Sequence, residues 1–350
     1  MTHDALVIGA GPAGAVAARE LARRGCSVLL VDKAKFPRPK VCGCCLNGAA
    51  VAALARLGLA HVLTNGVPLR DVRIAAGRRS ARVKLPGGVA LSREAFDGAL
   101  VREAVAAGVE FRDGVSARFE SAARVTIVAS GLTGTDAAAE PGSRVGAGTS
   151  VPASAVPGFF APGTIFMATA RGGYVGLVRV EDGRLDVAAA FDAAFLKAQG
   201  GLGAAAEAVL GETGWPRIAG LADLPWKGTP ALTRRAKALA GERWFAVGDA
   251  AGYVEPFTGE GMAWAIASAA AVAPVAARAV QRWDASLVRE WEVAHRRAVG
   301  NRQRACRVVS RVLRSPALTA LAVRVLALFP ALSRPVVASL NRPLHSGARA

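Results

Sequence analysis

Aromatic and acidic residues are both scarce in this 350-residue chain. Phe, Trp and Tyr together make up 6% of it, with only two tyrosines, and no basic stretch is interleaved with the stacking rings that single-strand nucleic-acid binders need. Nucleic acid is therefore not an expected partner. Asp plus Glu number 26 against 44 Lys plus Arg, a net charge of +18. That balance suits an anionic surface, although the abundance of Ala, Arg and Gly throughout is also what biased base composition produces. The four histidines (His3, His61, His295, His345) are scattered, and the five cysteines (Cys26, Cys42, Cys44, Cys45, Cys306) include no second paired cluster, so no metal site is expected. An odd cysteine count with three bunched together is no disulfide framework and fits a reducing cytoplasm. A basic leader with a cleavage site is missing as well, so export is not indicated. The Ala-rich uncharged run Gly261 to Ala277 barely reaches the lower limit of a membrane span and contains Pro274. A buried helix is the expectation there.

What is present is enough apolar material, 52% of residues, to bury a sizeable core. Ala5 to Ile8 is a short apolar run, Ala15 to Arg24 is helical in composition, and Ser27 to Val31 is a second apolar run closing on Asp32, together one βαβ unit. Pro37, Pro39 and Gly43 make Lys35 to Asn47 a loop, and Ala49 to Leu57 follows as a helix. Val67 to Leu91 is strand-like and broken by glycines. Arg93 to Ala107 is a helix with Ser92 as N-cap and Ala95, Leu100 and Val105 expected to face inward. Val125 to Val128 is a buried strand, and Tyr174 to Val180 and Arg184 to Phe191 flank a hairpin turn at Glu181-Asp182-Gly183, the start of a mainly antiparallel sheet. Trp244 to Val247 returns to a buried strand, and from Trp291 onward the chain is helical, Arg-rich and divided by prolines.

Gly9-Ala10-Gly11-Pro12-Ala13-Gly14 has the G-x-G-x-x-G spacing, in which glycines allow a tight turn, approach of the backbone to a pyrophosphate and close helix packing. With 39 glycines in the chain, chance supplies roughly 0.5 such spacings, so the spacing alone is weak. Its context is strong. The motif joins a strand to a helix, and Asp32 ends the next strand where a carboxylate accepts hydrogen bonds from an adenosine ribose, with Lys33 beside it. Later, Gly248-Asp249-Ala250-Ala251-Gly252 ends a strand, and Pro256, Gly259, Gly261 and Met262 lead into a long helix. Asp249 can hold a ribityl chain, and a helix starting near Gly261 aims free N–H groups at a flavin pyrimidine ring. FAD is the cofactor this pairing calls for. Ala129 and Gly131, just past the Val125–Val128 strand, are assigned to it as well.

The stretch from Gly248 to Met262 resembles the flavin signature of geranylgeranyl reductases, which share the para-hydroxybenzoate-hydroxylase flavoprotein fold. Phe36-Pro37-Arg38 through Cys42-Gly43, and Arg93 with Phe96-Asp97, resemble that fold too. The resemblance implies that Arg93 reaches FAD phosphate or ribose and that Gly43, Cys44, Cys45 and Leu46 lie along the isoalloxazine. Where the family loop is glycine-rich, this chain has Cys44 and Cys45: either small buried residues or, with Cys42, thiols that act on the substrate or flavin. The reductases' aromatic-rich substrate pattern is reduced at Gly172–Arg179 to Tyr174, a candidate catalytic residue alongside the three cysteines.

The fold class expected is α/β: a Rossmann-like FAD-binding domain from residues 1–60, 93–150 and 235–290, an inserted antiparallel substrate sheet from 61–92 and 151–234, and a helical region at 291–350. Two enzymatic readings stay open. In one, reduced FAD passes hydride to a carbon–carbon double bond of an apolar prenyl, lipid or polyketide-like substrate; in the other, a monooxygenase hydroxylates an aromatic or polyketide substrate through a flavin hydroperoxide. A non-catalytic flavin holder is a third class. No second glycine fingerprint follows a strand, so NAD(P)H would dock transiently or a reductase partner would supply electrons. The arginines between Arg296 and Arg314, followed by apolar segments interrupted at Arg324, suggest peripheral contact with a membrane from a cytoplasmic enzyme.

Overall fold

The computed structural model of the chain describes residues 3–116, 123–133, 137–255, 257 and 259–342. Short Val-, Ile- and Leu-rich strands that are buried on both faces suit a parallel sheet, and they form one. Its six strands run in the order Ala240–Gly241, Trp244–Ala246, Val125–Val128, Ala5–Ile8, Val28–Asp32, Glu110–Asp113. Ala5 sits opposite Val28 on one side and Val125 on the other, and only the Ala240–Gly241 edge is antiparallel. Segments more than 200 residues apart in sequence thus complete one nucleotide-type sheet. The helix Pro12–Ala22 is buried from Pro12 through Leu21 and packs against the long helix Gly261–Gln281 and the helix Arg93–Ala106. Small residues permit this closeness: the contact surfaces are mostly alanine, including Ala15, Ala17, Ala18, Ala269, Ala276 and Ala279, all inaccessible to solvent. The Gly261–Gln281 helix is long and apolar enough to cross a membrane, but 72% of its apolar window is buried inside the protein, as the Ala-rich sequence suggested.

The second sheet has seven strands, in the order Lys227–Ala231, Val145–Val151, Leu185–Phe191, Gly173–Arg179, Thr164–Ala170, Asp71–Ala76, Arg79–Lys84. All its pairs are antiparallel except Thr164–Ala170 with Asp71–Ala76. The hairpin at Glu181–Gly183 is where the sequence placed it, and Glu181 reaches across to accept from both the Ser92 backbone and the Ser92 hydroxyl. Ser92 in turn caps the helix Arg93–Ala106 by accepting from the Ala95 N–H. One turn of the seven-stranded sheet is thereby fastened to a helix that packs with the six-stranded one. A separate core of Phe159, Phe160, Phe166 and Trp215, with ring centroids 5.1–6.4 Å apart, holds the outer face of this sheet.

Several expectations are corrected. Val145–Val151 pairs along its whole length with Leu185–Phe191, so the nucleotide interval written as 93–150 takes in most of a strand of the other sheet. Val105 is 48% exposed; the inward face of its helix carries Arg93, Phe96, Asp97, Leu100, Val101 and Ala104 instead, following a 3.6-residue period. The loop 35–47 ends in a short strand, Cys45–Asn47, paired with Gly88–Ala90. Residues 291 onward do not stand apart either: Trp291, Ala298, Val299 and Cys306 are buried within the nucleotide core, with Trp291 donating its indole N–H to the Leu239 carbonyl.

Candidate active site

The glycine turn performs three distinct tasks. Gly9 has φ +102°, and a side chain there would meet the Ala129 carbonyl oxygen at 2.4 Å. At Gly14 a Cβ would lie 1.7 Å from the Gly9 carbonyl, so only glycine lets the helix start this close to the strand. Gly11 is different: a Cβ there would meet nothing nearer than guanidinium nitrogens of Arg93 and Arg38, at 3.6 and 3.8 Å. It is the open point of the turn, edged by cations, at the N-terminus of a helix whose first N–H groups have no side-chain cap. The Asp32 carboxylate accepts from the Ala10 and Ala34 N–H groups at 2.8 and 2.9 Å and from Arg38 at 3.3 Å, fixing the loop. Arg93 forks onto Asp97 at 2.8 and 2.7 Å, and Arg38 lies 3.7 Å from the same carboxylate. Lys33 is exposed and, among the described residues, donates to the Thr133 hydroxyl at 3.4 Å.

The second flavin stretch closes onto the first. Gly248 has φ +61°, and a Cβ on it would lie 2.8 Å from that of Ala13. Asp249 follows it into the cavity, its carboxyl pushed up by burial and drawn back by the charges of Lys40 and Arg93. Gly259 and Gly261 both line the cavity with Met262, and the open side of Gly259 faces the Cβ and carbonyl oxygen of Cys45 at 3.9 Å. Pro256 lies outside the described residues. Two glycine-bearing loops, near 43 and 259, thus face one another across a narrow gap, with the helix start at Gly261 between them.

Within the cysteine loop, strand alternation sorts the side chains. Cys45 and Asn47 line the cavity, whereas the side chains of Cys44 and Leu46 turn away from it into buried clusters. Cys42 and the open Gly43 also line the cavity, so of the three thiols two reach it. A hydrogen bond from Cys44, chiefly, with the Arg93 charge behind it, holds the Cys42 thiol down to about 6 against the opposing effect of burial. Cys44 is pushed well up, first by sharing that hydrogen bond, and Cys45 by burial. Tyr174 lines the far wall edge-on to Phe257 at 5.1 Å, with Arg144 5.7 Å over its ring. Its phenol is hydrogen-bonded to buried Glu255 and raised well above the ordinary value, mainly by burial, so it stays neutral.

The lining residues form a cavity of about 840 Å³ that runs from Gly11, Pro12, Ala13 and Arg93 past Ala129 and Gly131 to the helices Pro316–Leu328 and Arg334–Asn341, whereas Gly9, Gly14, Asp32, Lys33, Cys44 and Leu46 do not line it. Sequence reasoning missed two of its polar groups. Lys40 sits beside Gly131, where its ammonium is 3.1 Å from the position of a Cβ and is destabilised mainly by burial. The hydroxyl of Ser130 is buried on the cavity wall with no partner among the described residues. A buried donor without an acceptor, an open glycine turn flanked by cations, and a carboxyl beyond it are the features an FAD molecule laid along this wall would satisfy.

An FAD-binding-domain family matches residues 2–139. The chain is 43% identical over 84 residues to a menaquinone reductase of Mycolicibacterium smegmatis, covering 24% of this chain and 20% of that protein. It is 37% identical over 120 residues to digeranylgeranylglycerophospholipid reductase 1 of Methanopyrus kandleri, covering 31% and 29%. The aligned stretches thus span less than a third of those relatives. Among solved structures, the flavin-dependent brominase Bmp2 superposes with a TM-score of 0.77 at 17% identity, covering 97% of this chain and 93% of that one. A flavoprotein/dehydrogenase from Cytophaga hutchinsonii gives 0.73 at 18%, covering 97% and 96%. The fold is that of the para-hydroxybenzoate-hydroxylase-type flavoproteins, and FAD is the cofactor. The Gly248–Met262 stretch resembles the flavin signature of geranylgeranyl reductases, and the relatives aligned over part of the chain include digeranylgeranylglycerophospholipid reductases.

Proposed function

We propose that this protein reduces a carbon–carbon double bond in an elongated apolar substrate. The observation that carries the reading is the continuity of the cavity: beyond the facing loops at 43 and 259 it extends between aliphatic walls, Val72, Ile74, Ile165 and Met167 on the sheet side and Val323 and Leu326 on the helix side. Bound FAD supplies two-electron transfer there. The chain's own residues position and exclude. Arg93, Arg38 and Lys40 hold the phosphate end, Asp249 receives the ribityl hydroxyls, and the aliphatic walls keep water from the reacting carbons. Reduction of an alkene also needs a proton on the second carbon, and the Cys42–Cys44 pair stores one at the cavity wall, shared between a low and a high thiol. The names of the relatives suggest probes: a menaquinone and a geranylgeranyl glycerolipid.

A second reading, hydroxylation of a flat ring, is supported by the aromatic corner of Tyr174, Tyr253 and Phe257 at one end of the cavity. One experiment separates them. The photoreduced protein is mixed anaerobically with each probe in detergent. Flavin reoxidation without oxygen, together with a product two mass units heavier, is the expected result for reduction. Reoxidation that requires oxygen and yields a product carrying one added oxygen supports the second reading, and the first then fails.

A further inference from the structure

The cavity's distal end is also a piece of the outer surface. Val308, Val312, Leu332 and Val336 line the cavity, yet they are 58%, 37%, 58% and 55% exposed. A side chain can be both only at a mouth. Around this mouth stand Leu318, Leu321, Leu328 and Phe329, each more than half exposed. Of the eleven large apolar side chains exposed among the described residues, these eight fall within residues 308–336, so the patch is local rather than scattered. In the helix Pro316–Leu328 only Thr319 and Val323 are buried, against the strands Asp71–Ala76 and Arg79–Lys84. The opposite face, apolar as it is, is left exposed among the described residues. That helix and the next are bent by 119° relative to each other, a geometry for lying along a surface.

Charge selects the occupant. From residue 293 to the end of the sequence there is no Asp or Glu, whereas Arg311, Arg314, Arg324 and Arg334 are exposed around the patch. A second copy of this chain would set cations against cations, while an anionic bilayer matches both the charge and the apolar rim. Other arginines of this region are engaged: Arg302 pairs with buried Glu260 at 3.2 Å and Arg307 with Glu140 at 3.5 Å, and Arg314 itself lies 3.9 Å from buried Glu255, so Arg311, Arg324 and Arg334 carry the free charge among the described residues. The lipid-facing element is therefore the helix pair itself more than the arginine-rich segment that precedes it.

We propose that the helices Pro316–Leu328 and Arg334–Asn341 dock on an anionic bilayer with the cavity mouth opening into the lipid. The site named is the one read above as holding an apolar substrate, and the inference rests on that reading for its purpose, though not for its test. FAD-loaded full-length protein is sedimented with phosphatidylglycerol–phosphatidylcholine vesicles and with pure phosphatidylcholine vesicles. Binding should be at least about tenfold stronger to the anionic vesicles and should weaken steeply between about 50 and about 500 mM salt. The triple variant Leu321→Ser, Leu328→Ser, Phe329→Ser, whose positions lie outside the cavity, should retain its flavin and its turnover of a detergent-dissolved probe while losing at least about tenfold in vesicle binding. Protein left in the supernatant at low salt overturns the proposal, as does equal sedimentation of the variant. A dimer that the triple variant converts to monomer also overturns it and makes the face a self-interface. Vesicle binding without turnover of any lipid leaves the docking intact and removes the substrate reading instead.

Discussion

The floor of the cavity is backbone and paired charge, whereas its roof is exposed aliphatic side chain and unpaired charge. On the floor, Gly11, Pro12 and Ala13 face the ligand space, and Arg93 and Arg38 each have a carboxylate within 4 Å. On the roof, Leu332 and Val336 face the cavity while Arg324 and Arg334 form no ion pair among the described residues. A cofactor with fixed phosphates and ring needs fixed donors, so the floor tolerates little change. An apolar chain needs only to be kept from water, so the roof can be built from interchangeable side chains.

That contrast is tested most severely at Gly14. Its Cβ position lies 1.7 Å from a backbone oxygen, with no flexible side chain to yield. Gly14→Ala should therefore lower stability by about 3 kcal/mol or more and abolish flavin retention, measured by urea denaturation and by the flavin content of the purified protein. On the roof, Leu328→Ala at 65% exposure should change stability by less than about 0.5 kcal/mol. Equal effects at the two positions would erase the distinction.

His295 lies away from the cavity, at the end of the helix Ser286–His295 and edge-on to Trp291 at 5.4 Å. Burial holds it down to about 4. In the unfolded chain its value is near 6.5, so between these limits the unfolded state takes up a proton that the folded state refuses. Burial of the neutral ring therefore carries no protonation penalty above pH 6.5 and destabilises the fold increasingly as pH falls toward 4, by up to roughly 3 kcal/mol. Measured from pH 7 to 4, the denaturation midpoint of the wild type should fall relative to that of His295→Phe, which has no proton to take up on unfolding. Parallel curves would show that the imidazole is solvated in the folded protein.

Asp32→Ala probes the floor more gently and should weaken FAD binding by about 1–3 kcal/mol in a flavin titration. Because Asp32 also accepts the Ala10 N–H, Asp32→Asn, which keeps an acceptor, should fall between the two. An unchanged dissociation constant in the alanine variant would remove Asp32 from the cofactor's surroundings.

How much of this was legible in the sequence follows the same division. Gly9, Gly14 and Gly248 could be recognised because each answers a local backbone demand, a positive φ or a close approach, that only glycine meets. The start of the helix at Gly261 and the Ser92 cap are also local signals, and both hold. Lys40 and Ser130 were missed because nothing near them in sequence marks them; they matter only once the strand Val125–Val128 lies beside Ala5–Ile8 and brings Gly131 to Lys40. The roof was legible as apolar helices divided by prolines, but not as a cover. Its partners, the strands Asp71–Ala76 and Arg79–Lys84, lie more than 200 residues earlier in the chain. Val105 was misassigned because an isolated valine in a helix whose buried face carries Arg93 and Asp97 has no clean apolar stripe to betray its side.

The smallest effect expected is on a rate rather than on stability, and it concerns the cysteine loop between floor and roof. Cys42 is drawn down to about 6 mainly by the Cys44 hydrogen bond, while Cys44 and Cys45 are pushed above the ordinary thiol range. At neutral pH one thiolate should therefore react, on a cavity-lining residue, and two thiols should not. Alkylation of the apoprotein by iodoacetamide, followed by peptide mass mapping, should label Cys42 with a midpoint near pH 6. In Cys44→Ala the largest cause of the depression is gone and burial remains, so the midpoint should move toward that of a free thiol and labelling at pH 7 should slow by about tenfold. Cys45→Ala should leave the Cys42 midpoint in place, because Cys45 is not among the groups that lower it. A Cys42 midpoint that stays near 6 without Cys44 would transfer the effect to Arg93, whose charge is the next attraction in order, and the pair would no longer be a store for a shared proton.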